Sequence, residues 1–354
     1  MKRYQKIIIV AVVLLWRLHA GAQIITGIVC NKDDKKPVSG VYVYLDGTSI
    51  NTTTNVSGKF ELKSNSVLNT RLVLQHLSYE TVIINQPFEG IPDTLYLETR
   101  IQSLREVIIT GDPFTRKQKM KAFREQFLGM TKAGKSCVIL NEDDIQLYVD
   151  LQTRRLIATS EKPIMVVNDF LGYRVYYTLI DFWVQYGSSV ISLDNDWVQS
   201  SHFSVVSSFT DTALDSKSVK KRRDNIYELS SNNFFKNFAN GTLKENKFSM
   251  YNKSLSIDYK QYFTTTDTLS KKMITINPDT DINTFKDFYT GPKLFGRVSV
   301  LFNKKYQSDV YFTTDTFMVD RHGNIDKINM IYFVGQMSEN RAGDMLPIDY
   351  EPTN

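Results

Sequence analysis

The amino-acid sequence predicts a mainly β protein, in which a small seven-stranded β-sandwich precedes a larger β-rich α+β domain. Three observations predict it. Apolar and polar residues alternate with period two over short runs, as a half-buried strand requires. Clusters of Gly, Asn, Asp and Pro separate those runs at short intervals, where the chain must turn. After Ala133 the same texture returns, interrupted by only a few stretches of helical period.

Before the first strand lies a segment of another kind. MKRYQK is basic and residues 7–15 are an apolar run, too short to span a bilayer core of ~30 Å. Ala20-Gly21-Ala22 follows with the small residues of a cleavage site. Residues 1–22 therefore read as a secretory signal peptide removed before Gln23. No Cys stands at that point to carry a lipid anchor. Loss of Lys2, Arg3, Lys6 and Arg17 lowers the formal charge from +5 to about +1. A chain this close to neutral has no global field for nucleic acid, and no membrane span is expected in its mature part. Its two cysteines, Cys30 and Cys137, are too few for a disulfide framework or a cysteine-built zinc site.

The sandwich is read over residues 23–110. QIITGIVC is its first strand, and NKDDKKPVSG turns the chain. Val41, Val43 and Leu45 alternate with Tyr42, Tyr44 and Asp46 along the second strand, which ends at Asp46-Gly47. Residues 52–54 form a brief strand. Gly58 ends the next turn, where a positive φ is needed, and residues 59–63 return with Phe60 and Leu62 inward. Residues 71–77, 81–85 and 94–98 are further runs, and 106–110 reads as an edge-like strand. Strands so short and so evenly punctuated suit an immunoglobulin-like or transthyretin-like sandwich.

GIVCNKDDKKPVSGVYVYLDGTSINTTTNVSGKFEL, followed by RLVLQHLSYETVII, resembles the carboxypeptidase regulatory-like domain found at the front of many Gram-negative envelope proteins. Gly27 and Val29, Pro37 and Gly40, Gly47-Thr48, Gly58, Phe60 and Tyr79 carry the resemblance. Ser78 departs from it, since the family usually has Gly before the Tyr. The resemblance implies a non-catalytic sandwich, with no peptidase domain attached, in a protein of the periplasm or outer membrane. Residues 103–111 (SLREVIITG) also resemble the stretch that links this domain to the plug of TonB-dependent receptors, a segment open to strand addition.

Residues 111–130 read as a linker helix. Asp112-Pro113 would start it, Met120, Phe123 and Phe127 would form its apolar stripe, and Gly129 would stop it. Residues 131–354 read as a β-rich α+β domain of unknown function. Within it, LGYRVYYTL echoes LSYETVIIN of the sandwich and suggests a second copy of that topology. Lys217, Lys220, Lys221, Arg222 and Arg223 read as a solvated face. Ser231 reads as the cap of a helix whose Phe234, Phe235 and Phe238 are buried and which Asn240-Gly241 stops, and 321–324 as a hairpin turn. GQMSENRAGDMLPIDYEP resembles the tail of uncharacterised envelope proteins with the same front domain.

No catalytic constellation is legible. His76, His202 and His322 stand alone, without metal-ligand spacing, and no nucleophile elbow or phosphate loop occurs. Asp279, Asp281 and Asn283 have the spacing of a calcium loop, but Thr284 and Thr290 stand where Gly and Glu belong. Trp183, Tyr186 and Trp197 are candidate ligand-facing aromatics, and strand alternation puts Phe182 and Trp183 on opposite faces. The expectation is a non-catalytic envelope module that needs no cofactor and works through protein or glycan contacts. Two alternatives stand beside it: a hydrolase hidden in residues 131–354, and an adaptor to a TonB-type system through residues 103–111.

Overall fold

A computed structural model describes residues 23–100, 112–187, 192–268, 270–278, 282 and 293–353. The expected signal peptide, the 103–111 segment with the 106–110 strand, and the calcium-like spacing at Asp279 to Asn283 lie outside the described residues.

Among the described residues seven strands build the N-terminal sandwich: β1 (Gln23–Asn31), β2 (Tyr42–Leu45), β3 (Asn51–Thr53), β4 (Lys59–Ser64), β5 (Arg71–His76), β6 (Tyr79–Asn85) and β7 (Thr94–Leu97). They form two sheets, ordered β4-β1-β7 and β3-β2-β5-β6. Between the sheets Val29, Val43, Leu45, Leu72, Leu74 and Leu97 are fully buried. Period-two alternation thus set the inward face, as in β4, where Phe60 and Leu62 point in and Lys59, Glu61 and Lys63 point out.

The residues that carried the resemblance meet structural requirements of this sandwich. Gly27 on β1 lies opposite Phe60, and a Cβ on Gly27 would come within 2.8 Å of that buried ring. At Gly58 φ is +71° and a Cβ would sit 2.4 Å from the Val29 carbonyl, so only glycine fits. Pro37, exposed, bridges to Cys30, and Gly40 turns with φ +76°. Tyr79 opens β6 just after a register shift in β5, and its hydroxyl accepts a bond from Asn31 Nδ2 at 3.4 Å.

A second unit follows. Helix α1 (Arg116–Phe127) begins later than Asp112-Pro113 would place it, because Thr115 and Gln118 form a reciprocal capping box. Asp112 instead accepts bonds from the Phe114 amide at 2.9 Å and Lys119 Nζ at 2.6 Å. Then come α2 (Lys132–Ser136), β8 (Cys137–Ile139), β9 (Ile145–Asp150), β10 (Arg155–Ser160), β11 (Ile164–Asn168), β12 (Tyr173–Tyr186) and β13 (Val198–Asp211). The strands make one sheet, ordered β8-β11-β12-β10-β9, with β13 along the free side of β12. The apolar stripe of α1 packs on this sheet: Phe123 meets Phe182 at 4.8 Å between ring centroids, and Phe127 meets Tyr177 edge-on at 5.4 Å.

The echo of the sandwich in residues 164–186 is therefore only a shared hairpin. β5 and β6 face a second sheet, whereas β11 and β12 face helices, so no second copy of the sandwich forms. The basic cluster also departs from its reading. It lies on α3 (Lys217–Glu228), but Arg223 is 3% exposed and holds Asp211 in a two-point ion pair of 2.7 and 2.8 Å. Its Nε donates to the Leu171 carbonyl, and the guanidinium lies 3.8 Å over the Tyr173 ring. A planar fork with five donors can satisfy all of these partners at once, which is why this arginine is not solvated.

The third unit is organised around α4 (Ser231–Asn240), capped by Ser230 and stopped by Gly241 in the left-handed region. Its strands are β14 (Phe248–Asn252), β15 (Leu255–Ser256), β16 (Phe263–Asp267), β17 (Lys272–Ile276), β18 (Gly296–Phe302), β19 (Tyr306–Phe312), β20 (Thr316–Val319) and β21 (Ile331–Gly335). They form a five-stranded sheet, β15-β14-β18-β19-β21, and a three-stranded one, β16-β17-β20. Phe234, Phe235 and Phe238 sit at the centre, with Phe235 edge-on to Phe317 at 5.6 Å. The described part of residues 131–354 thus holds two separate hydrophobic cores, one shared with α1 and one around α4.

Cys30 and Cys137 are free thiols, and burial pushes that of Cys137 up to about 12. Among the described residues no helix is long and apolar enough to cross a membrane.

Candidate functional site

The three units meet at one junction, and the β2–β3 turn of the sandwich is its first component. Asp46, Gly47 and Thr48 lie along the open edge of β13. The Gly47 amide donates to the Ser207 carbonyl at 2.7 Å, the Phe209 amide to the Thr48 carbonyl at 2.9 Å, and Thr48 forms a parallel bridge with Ser208. Asp46 Oδ1 accepts the Ser207 amide at 2.7 Å while its other oxygen takes Arg71 Nε at 3.0 Å. Burial pushes the Asp46 carboxyl above the usual carboxylate range, against the pull of Arg71. Tyr44, Val73 and Val206 close an apolar contact behind the turn.

The second component joins the sandwich to the third unit. The Asn69 amide donates to Asp320 Oδ2 at 3.0 Å, and Asn69 Nδ2 donates to the Asn324 carbonyl at 2.8 Å. Asp320, 3% exposed, also accepts the amides of His322 and Asn324 and the side-chain Nδ2 of Asn324. The C-terminal segment supplies the third component. Ile348 donates its amide to the Gly47 carbonyl at 2.8 Å and accepts from Asn324 Nδ2 at 3.0 Å, while Tyr350 donates to Asp224 on α3. Upstream, Ala342 and Gly343 accept bonds from Tyr177 and Asn168 of the six-stranded sheet. The tail is thereby bonded to all three units.

Between these contacts lies a cleft of about 610 Å³, within the ~300–1,000 Å³ usual for small-molecule sites. The sandwich contributes Asn69, Asn85 and Gln86 to its walls, and the third unit contributes Asn232, Asn324 and Asn329. A side-chain amide has donors and an acceptor, the combination that a hydroxyl group matches. Asn232 donates to Asn324 Oδ1 and Asn324 Nδ2 to Asp320 and Ile348, so Asn85, Gln86 and Asn329 are the amides left to meet a ligand. Asn69 Oδ1 is buried with no hydrogen-bond partner, although its Nδ2 is bonded. Gln86 holds φ 49° and ψ 52°, a strained left-handed conformation for a non-glycine residue. Lys271 lines the cleft with no ion-pair partner among the described residues. The lining carboxylates are Asp46, engaged as above, and Asp326, whose Oδ1 accepts the Met318 amide at 2.8 Å.

His322 stands behind the wall of the cleft, 4% exposed rather than on a solvated turn. Its Nε2 accepts from Arg321 Nε at 2.9 Å and lies 3.3 Å from Ser66 Oγ, an arrangement that needs the neutral ring. Burial holds its pKa below the ordinary value; Asp320 and Glu351 pull the other way, and Arg321 and Lys236 add to the depression. A depressed histidine pKa contributes stability above the unfolded value of ~6.5, lost as pH falls below it toward the folded pKa. Urea denaturation at pH 7.5 and 5.5 is therefore expected to show a larger acid loss for the wild type than for His322→Gln. Equal losses would remove His322 from the account.

The aromatics singled out in the sequence lie elsewhere. Tyr186 is 5% exposed and packs in the core of the second unit, so it does not face a ligand. Phe182 points inward and Trp183 outward, as alternation requires. Trp183 is flanked from β10 by the Arg155 guanidinium, 4.5 Å over its ring, and from β13 by His202, stacked at 5.7 Å. With a guanidinium over its ring and an imidazole stacked beside it, the indole is already engaged. Trp197 is 49% exposed beside β13, outside the cleft. Of the sandwich residues that carry the family resemblance, only Gly47 lines the cleft. Among the described residues no group of His, Cys, Asp and Glu could hold a metal ion.

Residues 25–109 match the family model of the CarboxypepD_reg-like domain. This is a regulatory, non-catalytic domain, and the match covers the seven-stranded sandwich. No curated protein matches the chain. The junction residues Asn69, Asp320 and Asn324 were missed in the sequence. Their one visible signal was the density of turn-formers in Asp320-Arg321-His322-Gly323-Asn324.

Proposed function

We propose that the protein is a non-catalytic binding module of the cell envelope and that its ligand is a glycan held in the junction cleft. The observation that carries this reading is the amide-rich wall, whose lining residue Asn69 has a buried, unpartnered Oδ1. A buried acceptor without a donor costs about 1–3 kcal/mol, and a ligand hydroxyl would recover much of that. Both cleft carboxylates are engaged in holding backbone or guanidinium groups, which favours binding over acid–base chemistry. The envelope location rests on the signal-like leader and on the kind of protein that the sandwich resembles.

Calorimetric titration of residues 23–354 with soluble envelope polysaccharide fragments tests it. Binding is expected to weaken about tenfold, or 1.4 kcal/mol, in Asn69→Ala and in the rim variant Asn329→Ala, which touches no structural contact described above. Retained affinity in both variants would move the ligand elsewhere. Hydrolysis of a fragment, abolished by one carboxylate substitution, would replace the reading with an enzymatic one.

A further inference from the structure

Beside the apolar stripe of α1, a groove of about 840 Å³ runs along the helix toward α2. Lys117, Met120, Lys121, Arg124 and Leu128 recur at three- and four-residue spacing, so they line one side of α1 over about 16 Å. Gly134 and Lys135 of α2, Cys137 of β8, and Glu142 and Asp143 of the turn before β9 complete its lining.

The groove is polarised. Arg116, Lys117 and Lys121 line its half near the start of α1 and Arg124 follows in the last turn, whereas Leu128, Met130 and Cys137 give the other end its apolar surface, with Lys135 at its edge. Five cations line it against three carboxylates, Glu125, Glu142 and Asp143. Glu142 is already paired with Arg124, and Glu125 is 3.9 Å from Lys121. Lys117 and Lys135 have no ion-pair partner among the described residues and are exposed. Met130 is 47% exposed at the apolar end, a methionine left in water beside buried Leu128. The positive end of the helix dipole lies at the cationic half and adds to its field.

We propose that this groove binds a free single-chain amphiphile with an anionic head, the head between Lys117 and Lys121 and the tail along Met120, Leu128 and Met130. Charge complementarity selects the sign of the head, and the narrow apolar end, bordered by Leu128 at the end of α1 and Gly134 of α2, suits one chain rather than a bilayer face. The site is independent of the glycan cleft.

Dodecanoate and dodecyltrimethylammonium, each kept below its micelle concentration, are titrated into residues 23–354. Dodecanoate is expected to bind and the cationic amphiphile not to bind. The charge reversal Lys117→Glu with Lys121→Glu, at two exposed positions that leave the fold intact, should weaken dodecanoate by at least about tenfold. Met130→Asp should weaken it without altering the sign preference. Flotation with anionic phosphatidylglycerol vesicles is the second arm, and no recruitment is expected. The proposal is overturned if both amphiphiles bind alike, if neither binds, if the charge reversal changes nothing, or if only vesicles are bound.

Discussion

Gly323→Ala is expected to destabilise the protein by about 4 kcal/mol or more. Gly323 has φ +90° in the turn after β20, and a Cβ there would lie 1.9 Å from the Asn232 carbonyl oxygen and 2.9 Å from the Lys236 amide nitrogen. Both atoms belong to the backbone of α4, the helix whose phenylalanines centre the third core, so they cannot yield without moving that core. The control is Gly40→Ala. Gly40 has φ +76° but nothing within 4 Å of the place a Cβ would take, so only the left-handed conformation is penalised, at about 1–2 kcal/mol. Urea midpoints for the two variants separate contact from conformation, and equal shifts would refute the close approach.

The second large effect is expected at Asp320. Its carboxylate accepts from the amides of Asn69, His322 and Asn324 and from Asn324 Nδ2, all within the junction. Asp320→Ala leaves these donors facing one another, and at ~1–3 kcal/mol for each buried orphan a total loss of about 3–5 kcal/mol follows after partial relaxation. The sandwich should also come loose from the third unit. Limited proteolysis of the variant is expected to release a fragment containing residues 23–100, whereas the wild type resists. Asp320→Asn, which keeps one acceptor oxygen, should lose less than the alanine variant. A proteolysis pattern identical to that of the wild type would mean that Asn69 and Asp320 do not hold the units together.

The sandwich was legible because its determinants are local. Gly58 needs its conformation whatever the rest of the chain does, and the alternation Lys59-Phe60-Glu61-Leu62 fixes a buried face within one strand. The helix at Ser231 was legible for the same reason, since its phenylalanines recur with helical period and Gly241 ends it. The failures had a different origin. Arg223 looked like one cation in a basic run, but its partners are Asp211 and the carbonyls of Leu171 and Gly172, brought to it by a hairpin and a helix. Trp183 reads in the sequence as a stacking platform, but Arg155 of β10 and His202 of β13 already pack against its ring.

By itself the sequence determined the mainly β class, the sandwich at the front and the turns that punctuate it, because strand alternation, helix period and positive-φ glycines act within a few residues. Only the tertiary structure decided where a ligand site could form. Asn69 reaches Asp320 across 251 positions and Asp46 reaches Ser207 across 161. A polar pair so far apart leaves no periodicity in the chain, since its geometry exists only after the three cores have packed and the tail has been bonded across them.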